Sequence, residues 1–393
     1  MNTRITTDVI IVGAGPAGML LAKILKNNNI GCLLVERRRM KYVLSRIRAG
    51  VIEKGSVELL NNSGVGDRLK RECQSHNGFN IYFGQNKLRI NLNKLVNSYV
   101  TVYGQSEITK DLYQALKIDN VRVFDNIENI IFGSSLGSNP QISFKMGNEN
   151  IEISGKFIVG CDGSRSIVRS EIPENKKKEF THEYAFGWFG ILSKSKPLDT
   201  ELIYSSNERG FALCSMRSQT VSRYYVQCCK NQSIDNWTDA LAWDSLREFL
   251  PQSLSEKLET GQIIDKSITP LRSFVCEPMQ YKRIFLAGDA AHVVPPTGAK
   301  GLNLAFSDIH YLSTALIHFF KSSDERPLIK YSENALKRVW KTEKFSWWMT
   351  SMLHTSDPPN SFAEKIRESE FSYLFDSESA QKVLAENYVG LPY

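Results

Sequence analysis

No stretch of this 393-residue chain is both long and apolar enough to cross a bilayer. Every apolar run is broken by polar residues well before the ~18 that a spanning helix needs, so no membrane partner is expected. The seven cysteines, Cys32, Cys73, Cys161, Cys214, Cys228, Cys229 and Cys276, are odd in number and scattered without a CxxC pair. That argues against a disulfide framework and a structural zinc site. The six histidines lack ligand spacing such as HExxH, so no metal is expected either. Low-complexity blocks are missing, and with 42% hydrophobic and 23% charged residues the composition is that of an ordinary globular protein. The formal charge of +7 is dispersed and comes with no nucleic-acid-binding signature, so nucleic acid is not an expected partner. It reads equally as a field that attracts small anions or as a merely lysine-rich surface. MNTRITTDVIIVGAG begins a strand at once, which predicts no signal peptide and a cytoplasmic location. The length suits two intimately joined domains, or one with a large insertion.

What is present begins with DVIIVGAGPAGMLLAKIL: an apolar strand, then Gly13, Gly15 and Gly18 in GxGxxG spacing, then a helix with an apolar inner face. GCLLVE follows as a second strand ending at Glu36. Gly13 makes the tight turn, Gly15 lets a pyrophosphate approach the helix N-terminus, Gly18 lets helix pack on strand, and Glu36 accepts from a ribose hydroxyl. A lone GxGxxG is weak, but strand, helix, strand and acid together read as a dinucleotide site rather than a chance turn. No second GxGxxG occurs, so one such fold serves either FAD or a nicotinamide cofactor.

Two later segments decide for FAD. KFIVGCDGSRSIVR (156–169) is a strand ending in a turn that carries Asp162, and FLAGDAAHVVPPTGAKGLNLA (285–305) repeats the pattern. Gly and Pro at this density mark either a plain surface turn or a place where backbone must approach a ligand. Asp289 at the strand end suits a ribityl hydroxyl, and a helix opening around Gly298 to Leu302 aims free N–H groups at the flavin carbonyl edge.

With GxGxxG, CDG and GDAAH…PP.G.G in that order, the chain resembles the flavoprotein aromatic hydroxylases, the single-component FAD monooxygenases. The resemblance runs from Asp8 to Tyr393 and is most specific in LIYSSNERGFALCSMRSQTVSRYYVQ and ENYVGLPY, which point to the branch that acts on 4-hydroxybenzoate. It implies an α/β fold with an α+β insert. A discontinuous, doubly wound, Rossmann-like FAD-binding domain occupies 1–179 and resumes at 271–340, an antiparallel-sheet substrate domain spans 180–270, and a C-terminal helical region, 341–393, completes the site and a homodimer. FGWFGIL, RGFALCSM and SRYYVQCC have the look of strands. NALKRVWKTEKFSWWMTSMLH has helical spacing, with Trp340, Trp347 and Trp348 as core or subunit contacts.

Read without the family, Ser215, Arg217 and either Arg223 or Tyr225 share one side of a strand pair. An arginine fork with hydroxyls suits a carboxylate, although solvated sheet positions would look the same. The resemblance assigns Ser215, Arg217 and Tyr225 to the substrate carboxylate. It assigns Tyr204 to the phenol, Tyr388 to a proton relay behind it, His76 to the solvent end of that relay, and the Pro296 carbonyl to the phenol side. Pro295 and Pro296 stiffen the loop beside the flavin. Gln105, Asp162, Asp289, Gly298, Gly301, Leu302, Asn303 and Arg48 join the FAD contacts, and Arg223 matches a residue involved in a swing of the flavin.

NADPH has no fold of its own here and must use a surface. ERRRMKYVLSRIR is by itself no more than a charged helix face. The resemblance places Arg37, Tyr42, Arg46 and Arg48 at NADPH, with Arg272 and with Arg38, an added positive charge that favours the 2′-phosphate. Arg165 stands where the family has a histidine. The implied reaction takes NADPH, O2 and an aromatic acid, converting 4-hydroxybenzoate to 3,4-dihydroxybenzoate through a flavin 4a-hydroperoxide. The alternatives are a neighbouring substrate such as 3-hydroxybenzoate or 4-aminobenzoate, a flavin-bound aromatic-acid sensor without turnover, and a flavin-dependent dehydrogenase or reductase.

Overall fold

The computed structural model describes residues 2–46, 50–133, 137–355 and 360–393. Its centre follows from four short apolar runs. Val9–Val12, Cys32–Val35, Phe157–Gly160 and Ile284–Leu286 are almost wholly buried, as strands must be when helices cover both faces of a parallel sheet. They form a six-stranded sheet in the order Gln280–Tyr281, Ile284–Leu286, Phe157–Gly160, Val9–Val12, Cys32–Val35, Val123–Phe124. Pairing is parallel except at the Gln280–Tyr281 edge. The order draws on early, middle and late parts of the chain, which is the discontinuous α/β arrangement expected.

Helix Pro16–Asn27 is buried nearly all round, through Met19, Leu20, Leu21, Ala22 and Leu25, because it packs between helices Gln105–Ile118 and Gly301–Ser322. Truncating one of these leucines to alanine would cost about 2–5 kcal/mol. Gly13 sits at φ +104°, and a Cβ there would collide with the Cys161 carbonyl, so the first turn accepts only glycine.

The second large sheet has eight strands, in the order His292–Val293, Gln262–Glu277, Lys178–Lys194, Val221–Cys229, Gly210–Ser218, Leu202–Asn207, Gly78–Phe83, Asn86–Asn91. It is antiparallel except where Leu202–Asn207 meets Gly78–Phe83. The three runs expected as strands lie in it. It also recruits the 78–91 hairpin, because GFNIYF is buried along nearly its whole length and needs a sheet on its flank. Helices Tyr331–Leu353, Phe362–Asp376 and Glu378–Val389 close over this sheet. Phe345, Met349, Leu353, Phe371, Leu384 and Tyr388 from them join Phe79, Tyr204 and Phe211 in one apolar cluster.

Trp340 and Trp347 are not core residues: they are 41% and 51% exposed, since they fall on the outer face of helix Tyr331–Leu353. Trp348 is partly buried and donates to Glu370 Oε1 at 2.7 Å. Among the described residues no helix is long and apolar enough to cross a membrane.

Candidate active site

Three glycine-bearing turns meet at the C-terminal ends of the central strands. Gly15 is the N-cap of helix Pro16–Asn27, no side chain caps that end, and a Cβ at Gly15 would find no atom within 4 Å. The first-turn N–H groups therefore face open space where a pyrophosphate fits. A Cβ on Gly18 would strike the Gly13 carbonyl, which explains the close seating of helix on strand. The Glu36 carboxylate is oriented by two backbone amides, Ala14 N–H at 2.9 Å and Arg38 N–H at 2.8 Å. Gly288 brings the turn holding Asp289 beside both helix starts: a Cβ there would lie 3.1 Å from Ala305 Cβ and 3.8 Å from Ala17 Cβ. Helix Gly301–Ser322 opens after the Pro296–Gly298 turn and a left-handed Ala299, again without a side-chain cap, so Gly301 and Leu302 begin the helix as expected. These residues fit a dinucleotide running from Gly15 to the Gly301 end. Gln105, half-buried, begins helix Gln105–Ile118.

Two expected cofactor contacts spend their side chains elsewhere. Asp162 accepts from Ser166 Oγ at 2.6 Å and Ile167 N–H at 2.7 Å, capping a short helix. Burial raises its pKa against those hydrogen bonds. Asn303 accepts from Glu53 N–H at 2.9 Å and donates to the Val51 and Ala299 carbonyls, both at 3.0 Å. Arg48 lies outside the described residues.

On the large sheet, Ser215 faces Arg223 across the strand pair and Leu213 faces Tyr225. The Arg217 Nε is buried without a hydrogen-bond partner among the described residues. Burial lowers the Arg217 pKa, opposed in part by the Tyr225 hydroxyl. A buried guanidinium with an unmet donor is a receptor waiting for an anion. Arg223 has partners at two of its nitrogens: it donates to Asp265 Oδ2 at 2.9 Å and Ser267 Oγ at 2.7 Å, and lies 5.0 Å over the Tyr225 ring, while its Nε, like that of Arg217, is buried without a partner among the described residues.

Tyr204 and Tyr388 are both buried, with hydroxyl oxygens 3.0 Å apart, and the Tyr204 hydroxyl also lies 3.2 Å from the Thr297 carbonyl. Pro296, whose carbonyl was expected near the phenol, is the residue before. Burial raises both tyrosine pKa values. His76 departs from expectation. It is buried rather than solvent-facing, because strand Gln74–His76 pairs with Val100–Val102. Neither ring nitrogen has a hydrogen-bond partner among the described residues, and burial lowers its pKa.

One part of the site gave no motif. Lys300 Nζ donates to Glu53 Oε1 at 2.6 Å and to the Tyr388 carbonyl at 2.8 Å, while Arg338 Nη2 meets Glu53 Oε2 at 2.9 Å. Arg338 also donates to the carbonyls of Leu391 and Pro392 and sits 4.8 Å over the Tyr393 ring. A buried acid between two buried cations thus pins the C-terminal peptide that carries Tyr388. Isolated Glu, Lys and Arg residues announce nothing in sequence; only the adjacency of KGLNLA to the proline loop hinted at it.

A cavity of about 530 Å³ is lined by Arg37, Arg38, Arg39 and Tyr42 on one wall and residues 126–129 on the other. Arg37, Arg38 and Tyr42 were expected at NADPH; Arg39 and the 126–129 turn were not. Arg46 and Arg165 are exposed, and Arg272 is half-buried, 5.9 Å over the Phe274 ring.

The comparisons agree with this geometry. The family model described as FAD binding domain matches residues 6–346. A curated protein named p-hydroxybenzoate hydroxylase, from Acinetobacter baylyi, is 48% identical over 98% of this chain and 96% of its own. A mitochondrial ubiquinone biosynthesis monooxygenase from Saccharomyces cerevisiae is 25% identical over 85% of this chain and 82% of its own. Among solved structures, p-nitrophenol 4-monooxygenase from Pseudomonas putida shares the fold over 100% of both chains, with a TM-score of 0.84 at 17% identity. The chain belongs to this FAD-binding family and is an FAD-dependent aromatic monooxygenase.

Proposed function

We propose that the chain hydroxylates 4-hydroxybenzoate to 3,4-dihydroxybenzoate, with NADPH as reductant and O2 as oxidant. The observation that carries this reading is the buried Tyr204–Tyr388 hydroxyl pair. Oxygen enters the ring beside its hydroxyl, and a phenolate is a far better carbon nucleophile than a phenol. A neutral Tyr204 hydroxyl is both donor and acceptor. With the phenol donating to Tyr204, and Tyr204 turned from the Thr297 carbonyl to donate to Tyr388, each hydroxyl gives its own proton onward as it takes the next, which leaves Tyr204 donating to the phenolate. Two tyrosines therefore move a proton without admitting bulk water.

Support for the acid end comes from Arg217, whose unmet buried donor suits a carboxylate, with Ser215 and Tyr225 beside it. A carboxylate site and a hydroxyl relay favour a para-substituted ring over 3-hydroxybenzoate. FAD, when bound, supplies the ring that takes reducing equivalents from NADPH and activates O2. The Gly13–Gly18 turn, Glu36, Gln105, Asp289, Gly301 and Leu302 would hold it, and Asn303 acts through the backbone it fixes. Arg37, Arg38 and Tyr42, lining the basic cavity, suit the 2′-phosphate of NADPH.

A second copy of the chain is the proposed macromolecular partner. On helix Phe362–Asp376, Phe362, Ile366 and Tyr373 are 82%, 54% and 60% exposed, a stripe at helical spacing suited to a subunit contact.

The test mixes FAD-loaded protein with NADPH anaerobically, with and without 4-hydroxybenzoate, follows flavin bleaching, then admits air and identifies the aromatic product. Substrate-accelerated bleaching followed by 3,4-dihydroxybenzoate is the expected result. Bleaching indifferent to 4-hydroxybenzoate, or peroxide as the sole oxygen product, would overturn the substrate assignment.

A further inference from the structure

Asp308 is completely buried within helix Gly301–Ser322 and has no part in the contacts proposed above. Its Oδ2 serves two partners: it accepts from Gly288 N–H at 2.7 Å and lies 2.6 Å from His292 Nε2. Its Oδ1 has no partner among the described residues. These partners bracket the turn Gly288–Ala290, in which Asp289 sits. Arg169 Nη1 takes the Ala290 carbonyl at 2.7 Å. The amide before Asp289, the carbonyl after it and the ring three residues on are thus all held by side chains from elsewhere in the fold.

A buried carboxylate is costly unless it is paired, and an apolar residue of similar size would often stabilise the fold more. Burial works against a charged His292 ring, but the Asp308 carboxylate, with Asp289 and Glu343 beyond it, outweighs this and raises its pKa. Such a pair is kept where direction matters, because two hydrogen bonds to one oxygen fix angles that packing alone leaves loose.

We propose that Asp308 and His292 are positioning residues for FAD, holding the Gly288–Ala290 turn so that Asp289 meets the ribityl chain. Neither touches the cofactor; both act through the turn. The proposal rests on the reading of Asp289 as an FAD contact.

The test titrates FAD into apoprotein carrying Asp308→Ala, Asp308→Asn or Asp289→Ala. Affinity is followed by flavin fluorescence, the seating of the ring by visible circular dichroism at saturating FAD, and folding by far-ultraviolet dichroism and melting. Asn keeps an oxygen able to accept from Gly288. Asp308→Asn is therefore expected to bind FAD within about threefold of wild type, and Asp308→Ala about tenfold or more weakly, with an altered visible band. A merely structural role would lower the melting temperature and leave the band of saturated protein unchanged, which would overturn the proposal. Equal weakening in Asn and Ala would do the same. If Asp289→Ala weakens FAD while Asp308→Ala does not, the positioning role alone fails; if Asp289→Ala has no effect, the reading of Asp289 fails and the proposal with it. Should Asp308→Ala not fold, His292→Gln, which keeps a donor, against His292→Leu, which does not, carries the same comparison.

Discussion

The Tyr204 and Tyr388 hydroxyls, 184 residues apart in the chain, lie 3.0 Å from each other in the core. One comes from the strand Leu202–Asn207 and the other from the last helix, so the pair exists only when the C-terminal region has closed over the sheet. Tyr388→Phe leaves Tyr204 its Thr297 carbonyl and removes the exit for the proton. Turnover should fall about 10²-fold at neutral pH, recovering as pH rises toward the ionisation of the substrate itself. A stopped-flow pH profile checks this, and a variant with the wild-type rate and profile would sink the relay.

Arg217 separates function from stability. Its buried, unmet donor costs the free protein something that only an anion recovers. Arg217→Met should therefore melt no lower than wild type without substrate. Loss of the paired carboxylate should raise KM for 4-hydroxybenzoate at least tenfold, the equivalent of about 1.4 kcal/mol. Melting of both proteins, with and without 4-hydroxybenzoate, reads this directly: substrate should protect only the wild type.

How much of this was legible depended on whether a residue's role is local. The Gly13–Gly18 turn could be read because the positive φ of Gly13 and the approach of Gly18 to the Gly13 carbonyl are local, although Gly13 also abuts the distant Cys161 carbonyl. The strands of the large sheet were readable for the same reason. Long-range pairing was not. The hairpin at 78–91 joins a sheet more than a hundred residues later in sequence, and nothing in GFNIYF names that partner. The resemblance put His76 at the solvent end of the relay, yet a short strand pairing buries it. Asp162 and Asn303 were expected as FAD contacts, but which hydrogen bonds their side chains make is decided by the fold. Glu53, Lys300 and Arg338 were invisible, since a charge becomes notable only when three of them are buried together.

The basic cavity makes its own prediction. Arg38 lies 5.5 Å over the Tyr42 ring, a rigid seat for a guanidinium facing a phosphate. Arg38→Ser should raise KM for NADPH about tenfold, leave kcat near wild type, and leave NADH almost unaffected, because only NADPH carries the 2′-phosphate. Steady-state kinetics with both nucleotides distinguish this from general damage, which would weaken both alike.

The C-terminal tripeptide should matter beyond its size. Arg338 holds the carbonyls of Leu391 and Pro392 and the face of Tyr393, while Lys300 holds the carbonyl of Tyr388. Deleting residues 391–393 leaves Arg338 only Glu53, and the peptide bearing Tyr388 loosens. The expected outcome is retained NADPH oxidation with more hydrogen peroxide released per NADPH consumed, measured with a peroxidase-coupled assay. Unchanged coupling would mean that the tail only decorates the fold.

Glu343 gives a stability signature with a defined sign. Its carboxyl is 4% exposed, neither oxygen has a hydrogen-bond partner among the described residues, and burial pushes its pKa up to about 7, opposed by Ser273 and His292. The folded protein therefore holds a proton there that the unfolded chain, with an ordinary glutamate pKa, releases. Below the unfolded pKa the proton favours neither state. As pH rises toward 7 the unfolded chain gains by ionising first, so the wild type loses stability across that window. Glu343→Gln presents the neutral form at every pH and escapes the loss. The two proteins should melt alike near pH 4, and the variant should melt higher at pH 8. Parallel melting curves across this range would mean that Glu343 is ionised in the folded protein and has found a counter-charge.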